Sequence, residues 1–93
     1  MNEKTLERRL CKEIQALGGL ALKFVSPGLA GVPDRLVLLP GRKMAFVEVK
    51  SPGKHLRPLQ VKRKAQLERL GFQVYCLDGM EQIAPMIESI GKE

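Results

Sequence analysis

Ninety-three residues allow one domain with a single modest core, and 44% hydrophobic with 28% charged residues is an ordinary globular composition. Apolar residues are spread along the whole chain in short runs, which argues against disorder. None of these runs approaches the roughly 20 residues needed to span a bilayer, and the net charge of +6 suits a polyanionic partner.

Leu6, Leu10, Ile14 and Leu17 recur at helical spacing, so an amphipathic helix is expected over about residues 3–17, ended by Gly18-Gly19. Leu20 to Val25 reads as a short strand closed by Ser26-Pro27-Gly28, and residues 28–33 as an irregular Gly/Pro loop. The apolar run Leu36–Leu39, the turn signal Pro40-Gly41-Arg42-Lys43 and the strand Met44–Lys50 together predict an antiparallel hairpin. Both faces of these strands are largely apolar, the pattern of a sheet covered on both sides. Ser51-Pro52-Gly53 breaks the third strand. A second helix is expected from about Pro58 to Leu70, a fourth strand over Phe72–Leu77, and a last helix over Met80–Ile90 that Pro85 kinks or delays. The reading is one domain, residues 1–93: an α/β sandwich in the order α-β-β-β-α-β-α.

Cys11 falls on an apolar helix face and Cys76 in an apolar strand, so both are expected as small core hydrophobes. With no CxxC pair and no Cys/His cluster, a zinc site has no support. The charged N-terminal stretch Met1–Arg9 lacks the apolar segment of a secretory signal, which makes a cytoplasmic location the expectation. The positive charge is unevenly placed. Residues 42–69 carry nine Lys/Arg against Glu48 and Glu68, about +7, and leave the rest near neutral. Such a segment is either a solvated helix face or a surface for nucleic acid.

Three acidic residues fall where a charge is costly. Alternation in the third strand puts Met44, Phe46, Glu48 and Lys50 on one face, with Glu48 flanked by valines in a strand expected to be buried. On the triplet alone, a metal-binding carboxylate beside an activating lysine and a structural Glu-Lys pair are equally good readings. Pairing residues 34–39 with 44–50 brings Asp34 to the Glu48/Lys50 end of the hairpin, although a cap after Pro33 would also explain it. Two carboxylates and a lysine at one edge suit Mg²⁺ or Mn²⁺. Glu7 continues the buried stripe of helix one toward its N-terminus, as a helix-dipole partner or as part of the same site. Gln60, seven residues before Leu67, faces inward at the start of helix two, where it can orient a water, a phosphate or a loop carbonyl.

Asp34, thirteen residues and then Glu48-Val49-Lys50 have the form D…ExK, with Pro33 completing a leading Pro-Asp. The chain resembles the VRR-Nuc family of the PD-(D/E)XK nuclease superfamily. The likeness rests on Glu7, Gly31-Val32-Pro33-Asp34-Arg35, Val47–Gly53 and Gln60 at matching offsets, and extends from helix one to Tyr75. It implies an αβββαβ(α) restriction-endonuclease-like core with a mixed four-stranded sheet. It further implies a divalent metal, Mg²⁺ or Mn²⁺, held by Asp34, Glu48 and the Val49 carbonyl with Glu7 reaching it, and no organic cofactor. Lys50 would activate water and stabilise phosphate charge, with Gln60 assisting. The middle residue Val49 is shorter than in many relatives, but that position contributes mainly backbone. Arg35, Lys54, Arg57, Lys62, Arg63 and Lys64 would grip the DNA backbone without reading bases. With one Tyr, three Phe and no Trp, a base-stacking platform is not expected.

Stand-alone members resemble homodimeric enzymes of phage and bacteria acting on branched DNA such as four-way junctions. A two-fold axis matches the two strands to be cut. Helix three, with Ile83, Met86, Ile87 and Ile90, is the expected dimer surface. The competing expectations are a general nickase or end-processing nuclease, a catalytically silent DNA-binding module, and a structural α/β domain whose basic face aids solubility.

Overall fold

The computed structural model describes residues 1–92. Helix α1 (Glu3–Ala16) starts where the Asn2 side chain accepts from Thr5 N–H at 2.8 Å, satisfying one of the free first-turn donors. It buries Leu6, Leu10 and Ile14. The expected fourth member of that stripe, Leu17, is instead the exposed C-cap, because the chain turns at Gly18 with φ +82°.

Strands β1 (Leu20–Lys23), β2 (Arg35–Leu39), β3 (Lys43–Val49) and β4 (Val74–Leu77) form one sheet in chain order. The first three are antiparallel and β4 runs parallel to β3, so α2 (Pro58–Arg69) serves as the crossover. The sheet is mixed, as expected, with β3 inside it. In the β2–β3 hairpin Leu39 pairs with Lys43. The turn is therefore the three residues Pro40-Gly41-Arg42, one fewer than the composition suggested, with Gly41 and Arg42 both at positive φ. The register moves by one residue, and Asp34 falls opposite Glu48 rather than Val49 when the Arg35–Val47 pairing is continued.

The two faces of the sheet are not equally covered. Val37, Ala45, Val47, Val49 and Leu77 point to one side and are buried with α1 and with Ile83, Met86 and Ile90 of α3 (Ile83–Gly91). Those three side chains belong to the domain's own core. Of the four apolar residues expected at a dimer surface on helix three, Ile87 alone is partly exposed. Its start is delayed by a 3-10 turn at Met80–Gln82, which leaves Pro85 in the first helical turn, where its missing N–H costs nothing.

The opposite face is covered only in part, with α2 against β4. Leu20 and Leu22 remain exposed, with Phe46 between Phe24 and Phe72 at 5.5 and 6.0 Å. Cys76 also lies on this side and is exposed, not in the core as expected. It belongs to the edge strand, paired with Glu48 in register. No helix among the described residues is long and apolar enough to cross a membrane.

The loop before β2 is pinned to α2 at Gly31, which has φ +86°. A Cβ there would stand 2.8 Å from both the carbonyl oxygen and Cγ of Leu59. Gly31→Ala should therefore cost about 2–3 kcal/mol, combining the left-handed conformation with the overlap. Urea unfolding checks this, and a loss under 0.5 kcal/mol would contradict the close approach.

Candidate active site

Glu48 is the charged residue that the central strand buries, at 7% exposure. Alternation turns it away from the Val47 and Val49 side chains and toward α2. There its Oε2 accepts from Gln60 Nε2 at 3.3 Å and lies 3.7 Å from Lys50 Nζ. Gln60 is aimed by its own backbone surroundings. Its Oε1 accepts from the Arg57 N–H at 2.8 Å, which leaves the amide nitrogen for Glu48. Burial pushes the Glu48 carboxyl above its ordinary range, and the ammonium of Lys50 opposes that rise.

Asp34 stands just before β2, where its carbonyl accepts from Phe24 N–H at 2.9 Å. Its Oδ1 accepts from Val49 N–H at 3.2 Å, tying the carboxylate to the end of β3. Burial first, then the charges of Glu48 and Glu7, push its pKa up to about 7, against the pull of that hydrogen bond. A half-buried carboxylate so placed has too little positive charge around it.

Carboxylate oxygens of Glu3, Glu7 and Asp34 lie within 4.8 Å of one another. Glu7 is held by Arg35, whose Nη2 is 3.2 Å from its Oε2 while Nη1 donates to the Ala21 carbonyl at 3.2 Å. Glu3 was missed in the sequence because an acid in the first turn of a helix reads as a dipole partner. The available signal was its spacing of four from Glu7, which puts both on one helix face. Asp34 thus faces two groups, Glu48 with Lys50 and Gln60, and Glu7 with Glu3. The oxygens of Glu3, Glu7 and Asp34, crowded in this way, can hold a hard divalent cation, which would relieve the repulsion that raises Asp34.

The residues expected to grip DNA divide. Lys54, Arg57 and Lys62 are exposed, while Lys64 pairs with Glu68 at 2.9 Å. Arg35 is engaged with Glu7, as described. Arg63 is a correction: it is 8% exposed, donating to the Ala30 carbonyl at 2.9 Å and to Gln66 Oε1 at 2.7 Å. Its guanidinium fastens the 28–33 loop to α2, and a phosphate has no access to it.

The fold and the carboxylate–lysine cluster define a nuclease-type domain, and comparison with known proteins agrees. The chain belongs to the VRR-NUC domain family, whose model matches residues 2–81, and is a nuclease domain. It is 48% identical over 81 residues, 87% of each chain, to "Putative nuclease p44" of Acyrthosiphon pisum secondary endosymbiont phage 1. A solved structure titled "VRR_NUC domain" superposes with a TM-score of 0.85 at 30% identity. The match covers 92% of this chain and 94% of that one.

Proposed function

We propose that this chain is a divalent-metal-dependent endodeoxyribonuclease that nicks branched DNA, four-way junctions foremost, as a homodimer in the cytoplasm of a bacterial or phage-infected cell. The observation that carries the hydrolytic part is the convergence of Asp34, Glu48 and Lys50 at one end of β3, with Asp34 desolvated and short of positive charge. Mg²⁺ or Mn²⁺ would be held by Asp34, Glu48 and Glu7, with Glu3 at hand. The Val49 carbonyl would join them, since in an extended strand it leaves on the same edge as the N–H bonded to Asp34. When bound, such an ion polarises the phosphoryl oxygens and makes water a nucleophile at neutral pH.

The protein's own groups would do the rest. Lys50 places a positive charge beside the reacting phosphate, where it offsets charge that develops in the transition state. Gln60 holds the Glu48 carboxylate in one orientation and can donate to a water or phosphate oxygen beside it. Arg35 fixes Glu7.

The homodimer reading takes support from the partly uncovered side of the sheet, where Leu20 and Leu22 are exposed on the edge strand. A two-fold arrangement of two sites suits paired nicks across a junction. Leu20→Glu with Leu22→Glu should yield a monomer by light scattering. A mass unchanged from wild type would place the interface elsewhere.

The deciding assay incubates the full chain with a four-way junction, a flap, a nicked duplex and a linear duplex, each with Mg²⁺, Mn²⁺ or EDTA. Paired nicks in the junction that vanish in EDTA are expected. Equal cleavage of linear duplex would instead favour a general nickase or end-processing enzyme. Binding without cleavage under any metal would favour a silent DNA-binding module.

A further inference from the structure

Of the basic residues on or near α2 that attracted attention in the sequence, Arg63 is buried and Lys64 already paired, while Lys54, Arg57 and Lys62 are exposed. The other face of the molecule holds a different arrangement. An open groove of about 520 Å³ runs along α1 and is lined by Lys4, Glu7, Arg8, Lys12, Gln15 and Arg35. Lys4, Arg8 and Lys12 recur every four residues, so they form a row along one side of the helix, each about 6 Å beyond the last. All three are exposed, and none has an acidic partner within ion-pair distance among the described residues. The acids that make α1 nearly neutral in a simple count are elsewhere. Glu13 is bound to Arg9 at 2.8 Å, and Glu3 and Glu7 turn toward Asp34.

We propose that this groove is the path of the DNA strand, with Lys4, Arg8 and Lys12 on its phosphates. The inference rests on the nuclease reading and adds the surface that the substrate follows. Glu7 links the two features, because it lines the groove and also stands in the carboxylate cluster with Asp34. A polyanion lying in the groove therefore passes the reacting groups. The row spans roughly 12 Å, the rise of three to four nucleotides of a duplex strand. Lys23, the cross-strand partner of Arg35, extends the positive surface from β1. An unpaired cation row leaves its charge to bind phosphate and release counterions, whereas Lys64 must first leave Glu68.

The test measures binding of fluorescein-labelled junction and duplex by anisotropy in EDTA, which prevents cleavage, with KCl varied between 50 and 200 mM. The wild type is compared with Lys4→Gln/Arg8→Gln/Lys12→Gln and with Lys62→Ala/Lys64→Ala. The first should lose at least ~10-fold in affinity, and its log–log salt slope should fall by about 2–3, near 0.9 per lost phosphate contact. The second should lose less than half as much in slope. Mn²⁺ binding by calorimetry should match wild type in both, showing that the carboxylate cluster is intact. Should the triple variant misfold by circular dichroism, the single variants Arg8→Gln and Lys12→Gln serve, each expected to lower the slope by about 0.9. A wild type that binds and cuts DNA beside α1 variants with unchanged slope overturns the groove alone. A wild type that neither binds nor cuts any DNA overturns the nuclease reading, and the groove with it.

Discussion

Lys50→Ala should lower junction cleavage by about 10²–10³-fold while leaving DNA affinity in EDTA within about threefold of wild type. The asymmetry follows from the position of the ammonium. It sits 3.7 Å from Glu48 Oε2 with most of its side chain covered, so it is placed for one phosphate and not for a tract of backbone. Its removal acts twice. The developing phosphate charge loses a neighbour, and Glu48, already raised by burial, loses the cation that pulls its carboxyl back down. Cleavage by Lys50→Ala should therefore also require a higher pH to reach its own maximum, because Glu48 ionises later. Lys50→Arg keeps the charge but not the compact head group, and should retain intermediate activity. Single-turnover rates across pH 6–9 read both effects. Cleavage within fivefold of wild type would reduce Lys50 to a structural partner of Glu48, the reading that the triplet alone left equally open.

Much of this arrangement was legible in the sequence because period and charge disagree at few positions. Strand alternation put Glu48 and Lys50 on one face, and the hairpin brought Asp34 to them despite a one-residue error in the turn. That error was harmless because a carboxylate reaches a strand end from either register. Arg63 was misread for a reason that the helix itself supplies. It lies three residues after Gln60 and four before Leu67, on the inward side already inferred for both, but a Lys-Arg-Lys run looks like a solvated patch. Its acceptors, the Ala30 carbonyl and Gln66, become visible only once the loop is folded against α2. Cys76 and the apolar residues of helix three failed differently. Hydrophobic pattern reports that a side chain can be buried, while the sheet's edges and the uneven cover of its two faces decide which ones are. The row on α1 was hidden by adding its charges together, since acids and bases there occupy different sides of one helix.

The carboxylate cluster should weaken the fold that carries it, and Asp34→Asn tests this most directly. Burial and the charges of Glu48 and Glu7 hold Asp34 at about 7, against an ordinary 3.8. Between those values the folded state binds more protons than the unfolded one, so this group's contribution to stability is greatest below about pH 4 and falls as pH rises to 7. Asparagine keeps an oxygen for the Val49 N–H and removes the charge. At pH 8 without metal, Asp34→Asn should be more stable than wild type by about 1 kcal/mol, the shift being discounted for the exposed part of the side chain. That corresponds to about 4–8 °C for a domain of this size. The gain should shrink toward zero at pH 4, where both forms are neutral. Adding Mn²⁺ should reverse the order at pH 8, because an ion bound by the native carboxylates stabilises the wild type by mass action and the variant far less. Cleavage by Asp34→Asn should meanwhile fall below detection. Equal melting temperatures at pH 8 without metal would show that Asp34 is compensated within the protein and needs no cation. A variant less stable at every pH would assign its carboxylate to holding the strand end.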